Sequence, residues 1–391
     1  MMATARQLDF SKVDLHDPQM TPKPVVSEHP LMKFVGPKPL YPDPDSGLPI
    51  LTNSMMSAFR RCIKQAEYKY YHRLKPKMLG KPLKRGTWVH SLLEEDARGG
   101  DWRLLHTKLT KQFDNLFDEE KEFYGDLPNE ILALMEAYFW HYKQDPWTYH
   151  EVELELTAEL NGIKIRIKFD ALVENQWGLW LVDHKTHKTL PKLEYRMLDT
   201  QSPLYIWVAH QNNIPVNGFI WNYIKWKPPT MPKLVYKGQA RQRLSLQDIE
   251  TDYPTYIRAL KQFRDEDGLV ITQDYKDKAK YLKSLQYEPG RTQASPFFRR
   301  DVMEKSDDMI GRVLKEAHRT ASRMNSYDFT DPDAVERTVG RHCEFMCSYK
   351  DICSMELLGA NTRPLLRQNY EVGDPLSYYH DRAGDIEGKE E

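Results

Sequence analysis

Residues 162–186 read GIKIRIKFDALVENQWGLWLVDHKT, and the patterning of that stretch decides the fold. Ile163, Ile165, Ile167 and Phe169 recur at every second position, the period of a half-buried strand. Leu179 to Val182 form a second, continuous apolar run. The Asn-Gln-Trp-Gly between the two runs is a chain reversal. A hairpin turning there brings Asp170, near the end of one strand, beside Asp183 on the next. Alternate residues of a strand share a face, so Asp183 and Lys185 point the same way.

Two adjacent carboxylates repel unless something positive lies between them, and a divalent cation satisfies both. Hard oxygen ligands with positions left for water suit Mg²⁺ or Mn²⁺. Such an ion polarises a phosphoryl oxygen and acidifies a bound water, and a neighbouring lysine can position that water. The parts suit phosphodiester hydrolysis. An Asp-x-Lys triplet alone is also what an ordinary surface ion pair looks like, so the surroundings have to decide.

Outward from the hairpin, HEVELELTAEL (150–160) adds a third alternating strand, closed by an Asn-Gly turn. KLEYRMLDTQSPLYIWVAHQN (192–212) reads as one helix and NGFIWNYIKW (217–226) as a further strand. The core is therefore mixed α/β over 151–226. Upstream, residues 49–150 read as helical and carry Cys62 and His90, with Asn53 or Ser54 as a candidate cap. Residues 1–48 read as an extended arm and 227–340 as a basic, mostly helical region. Residues 341–361 form a cysteine-bearing closing segment, and 362–391 a charged tail expected to be disordered.

The set GTWVH (Gly86 to His90), KFDAL (Asp170), VDHKT (Asp183, Lys185) and QSPLY (Gln201, Tyr205) resembles, in order and spacing, the RecB-like branch of the PD-(D/E)XK nuclease superfamily. The resemblance covers residues 54–226. It implies a restriction-endonuclease-like core: a mixed central sheet flanked by helices, with helical additions. It further implies a metal-dependent DNA nuclease, an exonuclease in recombination, repair or replication, with Asp170, Asp183, His90 and the carbonyl of His184 holding the metal. Lys185 would position or activate the attacking water, and Gln201 and Tyr205 would line the cleft. The side chains of His184 and His187 are expected to be exposed, and Glu153 and Glu155 to form a solvated face. A catalytically inactive DNA-binding relative is the alternative reading.

Cys62 stands alone, whereas Cys343, Cys347 and Cys353 crowd into HCEFMCSYKDIC. In a cytosolic protein, clustered cysteines are more often metal ligands than disulfides. One cysteine before the histidine motif and three after the core resemble the [4Fe–4S] staple of AddB-type and CRISPR-adaptation nucleases. Three residues separate Cys343 from Cys347 where that family commonly has two, and Zn²⁺ also accepts four thiolates. The small stand-alone versions that this chain most resembles are often encoded by bacteriophages.

The formal net charge of −1, with 40% hydrophobic and 29% charged residues, supplies no global field for a polyanion, so DNA contacts must come from local patches. KWKPPTMPKLVYKGQARQR (225–243) and SPFFRRDV (295–302) interleave aromatics with cations in a way that suits single strands or accessible DNA ends. No apolar run is long enough to span a bilayer, and no secretory signal is recognisable, so the expected location is cytoplasmic (a host's, if phage-encoded). Recombination or replication proteins are expected partners.

Overall fold

A computed structural model describes residues 41–377 apart from 145–146, 246–249, 288–294, 330 and 332–334. Residues 1–40 of the expected arm and 378–391 of the expected tail lie outside the described residues. The chain divides into two compact units.

The larger unit, drawn from Asp43–Asn53 and Leu79–Arg319, is built on a six-stranded mixed sheet. Its strands are β1 (Ile50–Thr52), β2 (Thr148–Leu160), β3 (Ile163–Asn175), β4 (Gly178–His187), β5 (Gly218–Lys225) and β6 (Phe298–Met303). β2 runs antiparallel along one side of β3. On the other side, β1 pairs in parallel with residues 164–166 and β4 antiparallel with residues 171–175. β5 is parallel to β4, and β6 closes the sheet antiparallel to β5.

The two hairpins form where their turns require. Leu160 pairs with Ile163 across Asn161 and Gly162, both with positive φ, the two-residue turn that follows the right-handed twist of the strands. Asn175 pairs with Gly178 across the second turn. Gly178 has φ +115°, and a Cβ there would lie 2.1 Å from Asn217 Oδ1, so no other residue fits without displacement.

Helices α1 (Lys81–Ala97), α2 (Leu127–His141) and α3 (Gln201–Gln211) pack on this sheet or on one another. Trp88, Val89, Leu92 and Leu93 of α1 and Leu127, Ile131, Leu134, Met135 and Tyr138 of α2 form one buried cluster with Ile224, Phe297 and Phe298. The single helix expected over 192–212 is broken: a short turn at Glu194–Met197 precedes α3. The break comes from Asp199, whose carboxylate accepts from the Gln201 and Ser202 amides and from the Ser202 hydroxyl and so starts a new helix. Between β5 and β6 lies an insertion with its own small core: strands Lys233–Val235 and Arg243–Ser245, and helices Tyr253–Asp267 and Gln273–Ser284.

His141 at the end of α2 is 5% exposed among the rings of Tyr142, Tyr287 and Phe298. Burial, with the charge of Arg300, pushes its pKa down to about 3. The unfolded chain accepts that proton near pH 6.5, so stability is complete above about 6.5 and falls as the pH drops toward the folded value. The loss is up to about 1.4 kcal/mol per pH unit. Melting curves taken between about pH 6.5 and 5 should show His141→Phe flattening this slope relative to wild type.

The smaller unit is drawn from Ser54–Met78 and Thr320–Ser377. Strand Leu74–Pro76 pairs antiparallel with Tyr370–Val372. Tyr68, Leu74, Tyr349, Ile352, Leu366 and Tyr370 are its apolar centre. The tail expected to be disordered from 362 thus contributes a helix (Arg363–Asn369) and a strand. Leu366 and Tyr370, at 1% and 4% exposure, are the reason: they fill this centre. Among the described residues, no helix is long and apolar enough to cross a membrane.

Candidate active site

The site begins where the sheet forks. The β3–β4 ladder ends at the rung Ala171↔Val182, after which β4 continues against β5 alone, as far as His187↔Lys225. The next residues are Asp170 and Asp183, facing each other across the opening. The lost rung is partly replaced: the His184 amide donates to Asp170 Oδ2 at 2.5 Å.

α1 supplies the histidine. Gly86 lies against the end of β4, where an added Cβ would come 3.3 Å from Thr186 Oγ1. That close approach, with one further helical turn, carries His90 to Asp170, Nδ1 to Oδ1 at 3.2 Å. α3 supplies Gln201, whose Nε2 donates to Asp183 Oδ1 at 2.6 Å while its Oε1 accepts from Asn53 Nδ2 at 3.3 Å. Lys185 Nζ reaches Asp183 Oδ2 at 2.5 Å. Five of the six residues expected from the sequence to do chemistry therefore meet: His90, Asp170, Asp183, Lys185 and Gln201. Tyr205 is 6% exposed, and its ring packs edge-on against Phe219.

The electrostatics are those of a site short of positive charge. Burial raises Asp170, but the protonated His90 beside it outweighs this and holds its carboxyl well below the usual range. Burial lowers His90, yet Asp170 brings it up to about 9. Asp183 is raised by burial against the pull of Lys185, with Asp170 adding to the rise. Lys185 loses by burial and gains more from Asp183 and Asp170, so it stays charged.

Sequence reasoning placed Glu153 on a solvated face, and the structure corrects this. The β2–β3 register sets Glu153 opposite Asp170, and one ligand atom each from His90, Glu153 and Asp170 lie within 4.8 Å of one another. Its side chain is 10% exposed and bonds Lys168 at 3.0 Å. Burial, then the charge of Asp170, raises it to about 7. Its φ of +56° is a strained backbone for an acidic residue in a strand. Alternation alone could not reveal it, because that backbone departure is local to β2. Glu155 likewise pairs with Arg166 at 3.0 Å.

Two further expectations change. His184 is 5% exposed rather than solvent-facing: its Nδ1 lies 2.7 Å from Asn222 Nδ2, which also donates to Tyr138 Oη. Burial holds its ring neutral, with a pKa of about 3. At 295–302 the aromatics and cations expected to face DNA are engaged within the fold. Phe297 and Phe298 are core residues, Arg299 forms a bidentate pair with Asp301, and Arg300 stacks on Tyr142 and Trp147. In the other basic segment, Tyr236 is 40% exposed with Arg241 stacked on it at 3.9 Å.

In the smaller unit Cys62 is buried, and Cys347 and Cys353 pack against the apolar centre. Burial raises the Cys347 thiol against a hydrogen bond from the Tyr349 backbone, and the charges of Cys343, Cys62 and Cys353 add to the rise. Among the described residues, no three cysteine sulfurs lie within 4.8 Å of one another.

Residues 51–354 match the family model of the PD-(D/E)XK nuclease superfamily. Among solved structures, SSO0001 is similar at 15% identity over 68% of this chain and 84% of that one, with a TM-score of 0.27. A candidate exonuclease from Eubacterium rectale is similar at 15% identity over 66% and 86%, with a TM-score of 0.32. No curated protein matches.

Proposed function

Because the chain belongs to the PD-(D/E)XK nuclease superfamily, and so to the metal-dependent nucleases, we propose that it is a DNA exonuclease of the RecB-like branch. The observation that carries this reading is the facing of Asp170 and Asp183 at the sheet fork, with Lys185 on Asp183 and His90 on Asp170.

The donor set fits a hard divalent cation, Mg²⁺ or Mn²⁺. Asp170, Asp183, His90 and the His184 carbonyl would hold it, with Glu153 as a further carboxylate. Bound there, the ion polarises a phosphoryl oxygen and lowers the pKa of a water. The chain's own residues do the rest. Lys185 positions the attacking water and stabilises the charge that develops on the phosphoryl oxygens. Gln201 fixes the orientation of Asp183, and Asn53 fixes Gln201. The Asn222 contact holds the His184 ring, and with it the backbone between Asp183 and Lys185.

The four cysteines we assign to a [4Fe–4S] cluster. Four thiolates suit either group. What supports the cluster over zinc is the sequence pattern, one cysteine before the core and three crowded after it. Anaerobically purified protein should be brown, with four irons per chain and visible absorbance that bleaches on Cys347→Ser. Colourless protein carrying one zinc would reject the cluster.

Exonuclease action is read from product length on end-labelled DNA in Mg²⁺ or Mn²⁺. Short products released from an end from the first time point are expected. Long internal fragments would make the enzyme an endonuclease. A role in recombination, repair or replication, with proteins of those processes as partners and a phage origin, completes the proposal.

A further inference from the structure

The segment joining β4 to α3 leaves the catalytic strand two residues after Lys185 and presents a surface that the site described above does not use. Leu193, Tyr195, Met197 and Leu198 are 52%, 70%, 67% and 79% exposed. Four large apolar side chains in six residues make a contiguous exposed patch, which in a folded protein marks a contact surface. Lys188 and Lys192 are exposed beside it.

Arg196 lies in the middle and faces inward. Its guanidinium stacks on Trp221 at 4.4 Å and Tyr223 at 5.0 Å, and its carbonyl accepts from Lys305 Nζ at 3.0 Å. Lys185 lies over the same Trp221 ring, at 5.5 Å. Two cations on one indole repel unless an anion joins them. Arg196 forms no ion pair among the described residues, and its buried Nε has no hydrogen-bond partner. Of the nearby acids, Glu194 is exposed on the surface and the others are engaged. Asp199 caps α3, Asp301 is bidentate with Arg299, and Asp183 is held by Lys185 and Gln201.

A partly covered arginine, pre-oriented by stacking and lacking a carboxylate, suits a phosphate. Exposed aromatic and aliphatic side chains next to it suit the faces of unpaired bases, which a duplex keeps stacked away. We propose that residues 192–198 form a single-strand-binding lip at the mouth of the nuclease site, with Arg196 clamping a backbone phosphate and Tyr195 stacking on a base. This rests on the nuclease reading and extends it by naming the substrate form, an unpaired DNA strand.

The test is fluorescence anisotropy of a short fluorescein-labelled oligonucleotide, single-stranded or annealed, with full-length protein in EDTA so that nothing is cleaved. Tyr195→Ala should weaken single-strand binding about 5- to 150-fold and leave duplex binding unchanged. Arg196→Ala should weaken binding and reduce the slope of log affinity against log salt by about 0.7, the signature of one lost phosphate contact on a single strand. Arg196→Lys should keep that slope and recover part of the affinity, since it keeps the charge but not the fork. Tyr195 is too exposed for its loss to unfold the protein, and equal melting temperatures check the arginine variants. Unchanged single-strand affinity in Tyr195→Ala, an unchanged salt slope in Arg196→Ala, or equal losses on duplex would overturn the lip. Wild-type protein that binds single strands in this way but cleaves nothing in Mg²⁺ or Mn²⁺ would remove the nuclease reading and leave the lip standing.

Discussion

Lys185→Ala should lose DNA cleavage by about 10²- to 10⁴-fold while keeping its fold and its bound divalent ion. Among the described residues the ammonium is the only cation bonded to Asp183, and it is not a ligand in the arrangement proposed. Its removal therefore takes away stabilisation of the reacting phosphate and leaves the carboxylates to hold the ion. The loss should appear in kcat more than in KM, because the developing charge exists only in the transition state. Mn²⁺ affinity, followed by calorimetry, should stay within a few-fold of wild type. A variant that still cleaves at the wild-type rate would show that Lys185 is merely the partner of Asp183.

The second large effect concerns stability and lies away from the chemistry. In the smaller unit Lys64 is 1% exposed and bridges Glu67 at 2.8 Å and Glu356 at 2.9 Å, with Tyr68 beneath it. Glu67 also meets His72 at 3.2 Å, and Glu356 meets Arg337 at 3.4 Å. Burying these charges is costly, and the cost is offset only while each has its counter-ion. Lys64→Ala leaves two acids sharing what remains and should destabilise the protein by about 3–5 kcal/mol, roughly 10 °C in Tm. The pH dependence has a definite sign. Burial raises Glu67, but His72 and Lys64 outweigh it and hold the carboxyl below its ordinary value. Its contribution is present above the unfolded pKa and is lost as the pH falls through the folded one. Without Lys64 the carboxyl takes up its proton at higher pH, so the gap between variant and wild type should narrow on acidification. A gap that widens in acid would contradict this account of the network.

What the sequence made legible follows from range. The β3–β4 hairpin could be placed from its alternation and turn, and with it the facing of Asp170 and Asp183, because every determinant lies within 25 residues. His90 and Gln201 came from a resemblance in spacing, and each then proved to touch one of those acids. β1 and β6 were not legible. β1 is three residues long and pairs with residues more than a hundred positions later, and β6 follows β5 only after the insertion. Without that pairing, FFRRDV looks like a basic surface, although Phe297 and Phe298 are 1% and 3% exposed. Glu153 was hidden for a different reason: a positive φ within a regular alternation leaves no trace in residue type. The burial of Lys64 and Glu67 was not legible either, because their partner Glu356 arrives from almost three hundred residues away.

The central claim is that Asp170 and Asp183 at the sheet fork, joined by a divalent ion, cut DNA. Its most direct test is a time course of wild type beside Asp183→Ala on end-labelled DNA, in Mg²⁺ and in Mn²⁺. Wild type should degrade the labelled strand and Asp183→Ala should leave it intact in both ions, although circular dichroism shows the same fold. Equal degradation by the two proteins would place the chemistry elsewhere and contradict the account.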